Sequence, residues 1–179
     1  MFCLKVTPLG EANGLLAAGW PIHCVSLLDQ GTRLAHRGQN HLVLEFGDVG
    51  LKARRGTSVP PAAADVAAVL GFTAGLQDGD RLLVHCIGGY GRSPAVAVGI
   101  LVQHGQSVAS AWAEVRRQRP QCAPNRLLIA LFDAAIGMGG ALSGKAASGG
   151  ARDHDRRTPG GLLLPPALVR SSGPAGNGR

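Results

Sequence analysis

Nine consecutive residues, His85-Cys86-Ile87-Gly88-Gly89-Tyr90-Gly91-Arg92-Ser93, set a thiol and a guanidinium five residues apart with three glycines between them. A thiolate is a nucleophile, and a guanidinium is a planar fork for oxyanions. Glycine lets a backbone turn tightly and approach a bound group closely. Together these are the parts needed to hold a phosphate dianion and attack it. The apolar run Leu82-Leu83-Val84 leads in and reads as a buried strand entering a tight loop. Residues 93–102 read as a buried helix, with Pro94 suited to its first position. Strand, loop and helix then turn the N–H groups of residues 87–92 and the positive helix end toward one point, which makes an anion site. That field favours a Cys86 thiolate. Arg92 would reach back to the anion, His85 would orient the loop through a hydrogen bond, and Ser93 would donate its hydroxyl to the sulfur. Gly88, Gly89 and Gly91 are each expected to supply positive φ and close approach.

The stretch resembles the signature of the cysteine-based protein tyrosine phosphatase superfamily, His-Cys-x-x-Gly-x-x-Arg-Ser/Thr, at every fixed position. The chain is also similar to the dual-specificity-like branch, on three further features. These are the hydrophobic strand 42–46 leading to an Asp, a helix before the loop, and Arg119-Pro120 followed by Pro124-Asn125 downstream. The resemblance spans residues 1–138. It implies Cys86 as nucleophile, Arg92 as phosphate clamp and Ser93 as partner of the leaving thiolate. Ile87, Gly88, Gly89, Tyr90, Gly91 and Arg92 would bind the substrate phosphate, with His85 and Asn125 in support. The implied reaction is hydrolysis of a phosphomonoester through a phosphocysteine, with no metal or other cofactor. Its substrate would be a phosphorylated protein or small phosphomonoester, with phosphotyrosine first and phosphoserine or phosphothreonine beside it.

That mechanism needs a general acid, because an alkoxide or phenoxide must be protonated as the P–O bond breaks. The upstream candidates are Asp29, Asp48, Asp65, Asp78 and Asp80. Asp78-Gly79-Asp80 reads as a turn, and Asp65 as first-turn helix chemistry. Asp48 follows strand 42–46, where similar proteins carry the acid, and is assigned that role; Asp29 is next. The stretch from Asp48 to Cys86 is longer than in many compact members. The extra residues, 51–58, carry Lys52, Arg54 and Arg55.

Other chemistries fit less well. Cys3, Cys24, Cys86 and Cys122 are far apart without a Cys-x-x-Cys pair, so a metal centre is not expected. The loop holds no dinucleotide fingerprint, and Arg92 stands where a nucleotide P-loop requires Lys. His23, His36, His41 and His104 read as surface or satisfied core residues, Trp20 and Trp112 as packing anchors, and Tyr90 as a lining of the pocket mouth. Two alternatives stay open: a phosphoinositide or other non-protein phosphatase, and a catalytically inactive phosphate-binding module. The uncharged Ile87, Gly88, Tyr90 and Gly91 argue against a highly phosphorylated headgroup.

Four strands are expected, at 4–6, 22–28, 42–46 and 82–86, with helices at 60–76, from Ser107 to Arg119, and at 127–136 as the last. Alternating strands and helices define an α/β class: a mostly parallel central sheet flanked by helices, a cysteine-phosphatase-like three-layer fold. Within the 179 residues, 1–138 form the phosphatase-like domain and 139–179 a Gly/Pro/Arg-rich disordered tail. Six cations against two anions from residue 140 onward supply more than half of the net charge of +7. The basicity thus belongs to a solvated tail, and no nucleic-acid partner is predicted. A Leu/Pro run at 160–166 reads as an unselected extension. The N-terminus lacks a signal-peptide apolar region, the longest apolar stretch is too short to span a bilayer, and a catalytic thiolate needs a reducing compartment, so the expected location is cytoplasmic. Nothing in the sequence fixes the oligomeric state.

Overall fold

The computed structural model describes residues 1–49 and 58–148. Lys52, Arg54 and Arg55, and the tail beyond residue 148 with its 160–166 run, lie outside the described residues. Strands β1 (Cys3–Pro8), β2 (His23–Leu28), β3 (Asn40–Glu45) and β4 (Arg81–Cys86) form one sheet. All three strand pairs are parallel, in the order β1-β4-β2-β3. Helix α1 (Leu9–Ala17) follows β1, and α2 (Ala63–Thr73) connects β3 to β4. After β4 come α3 (Arg92–Gln103), α4 (Val108–Gln118), α5 (Arg126–Ile136) and α6 (Ala141–Ser148).

Successive strand residues point to opposite faces, and both faces here are covered. Leu82, Val84 and Cys86 of β4 join Val25, Leu27, Leu4 and Val6 in the larger core, beneath α2 to α6. Leu83 packs with Cys24, Ala12 and Leu16 under α1. Burial on both sides makes β4 an almost continuous apolar run, which is why it was legible as a strand. Helix α3 is buried from Arg92 to Val102. Phe132 of α5 reaches it because position 99 is glycine; a Cβ there would run into the ring. Each fully buried Val, Leu or Ile in such a core is worth about 1.5–3 kcal/mol.

Three expectations need correction. Helix α1 was not anticipated: Gly10, Asn13 and Gly14 weaken its intrinsic propensity, and packing of Ala12 and Leu16 holds it instead. Helix α2 starts later than residue 60 without using Ser58; the Asp65 carboxylate accepts the Ala62 N–H at 2.8 Å. The domain also runs past residue 138. Gly137, at φ 77°, ends α5 in the left-handed conformation. The chain then turns into α6, which seats Leu142 and Ala146 in the core. The buried Asp133 carboxylate fixes that turn, accepting from Gly140 N at 2.6 Å and Ser143 N at 2.8 Å. Burial alone would push its carboxyl up, but the N–H bonds from Ser143, Gly140 and Leu142 outweigh that and hold it below the usual range. The glycines at 137, 139 and 140 form a structured turn, and the first eight-residue stretch after them is helix, not tail.

Candidate active site

Cys86 ends β4 and Arg92 opens α3, so residues 87–91 form a loop at the carboxyl edge of the sheet, where α/β proteins place their sites. The hydrogen bonds of its carbonyls show which way the loop faces. Ile87 O accepts from Leu9 N at 3.1 Å, and Gly89 O from Arg119 Nε at 3.3 Å. Tyr90 O accepts from Ala123 N at 2.9 Å, and Gly91 O from Asn125 N at 3.0 Å. With the carbonyls tied outward to α1 and the 119–125 segment, the loop N–H groups are left for the concave side. Arg119 also lies over the Tyr90 ring, 5.7 Å from its centroid, and pairs with Glu11 at 3.4 Å. The spacing of the loop itself gave no sign of these outer anchors.

Only one of the three glycines takes the conformation expected of all. Gly89 has φ 68°, and a Cβ there would come within 2.8 Å of Pro8 N. Gly91 is in the ordinary right-handed region; its need is space, because a Cβ would overlap the Asp48 carboxylate, with Asp48 Cγ 2.8 Å away. Gly88 has the loosest requirement, a Cβ there sitting 3.1 Å from the Tyr90 ring.

The Cys86 sulfur is buried and receives two donors, Gly89 N–H and the Ser93 hydroxyl, each at 3.2 Å. Arg92 is 3% exposed. Its Nη1 donates to Phe46 O at 2.7 Å and to Asp29 Oδ1 at 2.9 Å. Its Nε is buried without a hydrogen-bond partner. One edge of the guanidinium is therefore anchored while a donor on the other stays unfilled, an arrangement that costs free energy unless an oxyanion arrives. Asp29, runner-up among the acid candidates, is thus bound to Arg92.

Asp48 lies against Gly91, and its Oδ1 accepts from Asn125 Nδ2 at 2.8 Å. Asn125 also donates to Val49 O at 3.0 Å, and its own carbonyl oxygen Oδ1 caps α5 by accepting Leu128 N at 3.0 Å. One buried side chain therefore joins the Asp48 segment, the loop and a helix start. Asp65, Asp78 and Asp80 lie elsewhere, in a helix cap, an N-terminal ion pair and a turn. Ile87 and Tyr90 are the exposed apolar groups of the loop, with Tyr90 45% exposed. His85 points to the opposite sheet face from Cys86 and bonds Ser26 Oγ at 2.5 Å. Metal-ligating atoms converge there among the described residues, from Cys24, His41 and His85. His23 and His104 are satisfied, by Asp80 at 3.5 Å and by Thr73 O at 2.8 Å.

No protein-family model matches this chain, and no curated protein sequence does either. Solved structures do. Human DUSP28 matches at 22% identity over 76% of this chain and 94% of that one, with a TM-score of 0.59. A mouse putative dual specificity phosphatase, solved with zinc tungstate, matches at 23% over 78% and 86%, TM-score 0.59. PTPMT1 in complex with PI(5)P matches at 17% over 82% and 93%, TM-score 0.52. The chain shares the fold of these solved phosphatase structures.

Proposed function

We propose that the chain is a phosphomonoesterase acting through a phosphocysteine, with phosphotyrosine as its leading substrate class. The observation that carries this is Cys86 Sγ beneath two donors, beside a guanidinium anchored on one edge and unfilled at Nε. Cys86 Sγ attacks phosphorus in line as the P–O bond to the substrate breaks. Loop N–H groups and Arg92 hold the equatorial oxygens, which is electrostatic stabilisation aimed at developing charge. Asp48 gives its proton to the departing oxygen. It then takes one from the water that attacks phosphorus, the S–P bond breaks, and Ser93 O–H receives the returning thiolate. Asp29 anchors Arg92; an Asp29 that carried the transferred proton would have to give up that ion pair. Asn125 keeps Asp48 beside the loop.

The apolar mouth formed by Ile87 and Tyr90 suits an aromatic phosphate better than a multiply charged headgroup. Parallel kinetics on a phosphotyrosyl peptide, a phosphoseryl peptide and a soluble inositol phosphate test this. The expected order of kcat/KM places the phosphotyrosyl peptide first. A leading inositol phosphate would replace the substrate assignment with a phosphoinositide one, and no turnover on any of the three would leave a phosphate-binding module. No helix of the described residues is long and apolar enough to cross a membrane. A cytoplasmic setting is proposed on the thiolate chemistry alone.

A further inference from the structure

On the sheet face behind Cys86, the ligating atoms of Cys24, His41 and His85 lie within 4.8 Å of one another, with Ser26 among them. Proton bookkeeping decides what this cluster is. Gly38 N–H donates to His41 Nδ1 at 3.0 Å, so that nitrogen presents a lone pair and the ring proton sits on Nε2. His41 Nε2–H can then only donate, and Ser26 Oγ lies 2.6 Å away to accept it. Ser26 has one proton to give. His85 Nε2 is 2.5 Å away, whereas Cys24 Sγ, a weak acceptor, is at 3.9 Å. The proton therefore goes to His85 Nε2, which places the His85 ring proton on Nδ1. That buried nitrogen has no hydrogen-bond partner among the described residues, so the tautomer is set from the Nε2 side alone.

A metal ion does not fit this donor set as it is bonded here: His41 Nε2 would need a lone pair that the Gly38 bond denies it. Both imidazoles are pushed toward the neutral form. Burial, then Arg37, lowers His41; burial, then His41, brings His85 down to about 4. The cluster is a one-way chain of hydrogen bonds running from the β2–β3 loop through β3 and β2 to β4.

We infer that Ser26 and His41 are positioning residues of the phosphate site, fixing the tautomer and ring orientation of His85, the residue directly before Cys86 on β4. This rests on the phosphatase reading for its kinetic consequence but not for its structural one. Outer partners that orient a functional imidazole through its second nitrogen are worth roughly 10–100-fold in activity where they have been removed from metal sites, and a similar loss is expected here.

The test is long-range ¹⁵N–¹H NMR of the histidine side chains in the full chain, together with steady-state kinetics. Wild type is expected to show His41 as the Nε2–H form and His85 as the Nδ1–H form. Ser26→Ala should shift His85 toward the other tautomer and lower kcat more than it raises KM. Ser26→Thr, which restores the hydroxyl, and His41→Gln, which keeps a donor near the Nε2 position, should recover most of the activity; His41→Phe should not. A wild-type His85 carrying its proton on Nε2 would overturn the inference. So would a Ser26→Ala variant with unchanged tautomer and unchanged kcat. The tautomers are read without turnover, so an inactive wild type would sink the phosphatase reading and leave this structural result standing.

Discussion

Two places in this molecule gather backbone N–H groups around one point. At the joint of α5 and α6, Gly140 and Ser143 aim theirs at the Asp133 carboxylate, which satisfies them from within the chain. At residues 87–91, the carbonyls are tied outward to Leu9, Arg119, Ala123 and Asn125, and no internal carboxylate takes the N–H groups on the inner side among the described residues. The Asp48 carboxylate comes beside Gly91 yet bonds Asn125, and Asp29 takes only the anchored edge of Arg92. The physics of the two concavities is alike. One closes a fold by supplying its own anion; the other, on the proposed function, takes a foreign one.

Removing the nucleophile should give the sharpest break between them. Cys86→Ser is expected to lower kcat on an aryl phosphate by at least about a thousandfold while vanadate still binds, since attack is lost and the anion cradle is kept. Isothermal titration of the variant with vanadate reads the second half; loss of both would mean the sulfur is needed to build the cradle. Arg92→Lys comes next, at about 100–1000-fold in kcat, because a point charge cannot give two parallel hydrogen bonds. Comparable rates in the two proteins would show that the fork does not touch the transferring group.

Asp48→Asn should cost about 100-fold on a phenyl phosphate with a poor leaving group and much less on an activated nitrophenyl ester. Equal losses on the two would remove Asp48 from the acid role. The smallest effect belongs to the closed concavity. Asp133→Asn is expected to cost about 1–3 kcal/mol of stability in urea unfolding with kcat unchanged. The carboxyl of Asp133 is held below its ordinary range, so its contribution is complete above the unfolded value near 3.8 and is lost as pH falls through the lower folded one. The variant should therefore flatten the acid limb of stability below about pH 4. An unchanged limb would show that the carboxylate is not what fixes α6.

The contrast also explains what could be read from residues alone. Strand β4, the loop and α3 are contiguous, so local periodicity disclosed the elements, and the fixed spacing of Cys86 and Arg92 pointed to the proposed anion site between them. Asp48 needed the added resemblance, since nothing local distinguishes it from Asp29. The pairing of Asp29 with Arg92, and the run from Gly38 through His41 and Ser26 to His85, join residues that meet only after β2, β3 and β4 align. Helix α6 was hidden for a different reason. Its glycine-rich approach has the composition of a loose tail, and the carboxylate that orders it sits on the preceding helix.

Rapid mixing with an aryl phosphate, acid quench within one turnover and mass spectrometry of the Cys86 peptide interrogates the open concavity most directly. A phosphocysteine route predicts a phosphoryl group on the Cys86 sulfur, formed before free phosphate accumulates and absent from Cys86→Ser. Free phosphate released at full rate with that peptide unmodified, or with the phosphoryl group on another side chain, would contradict it.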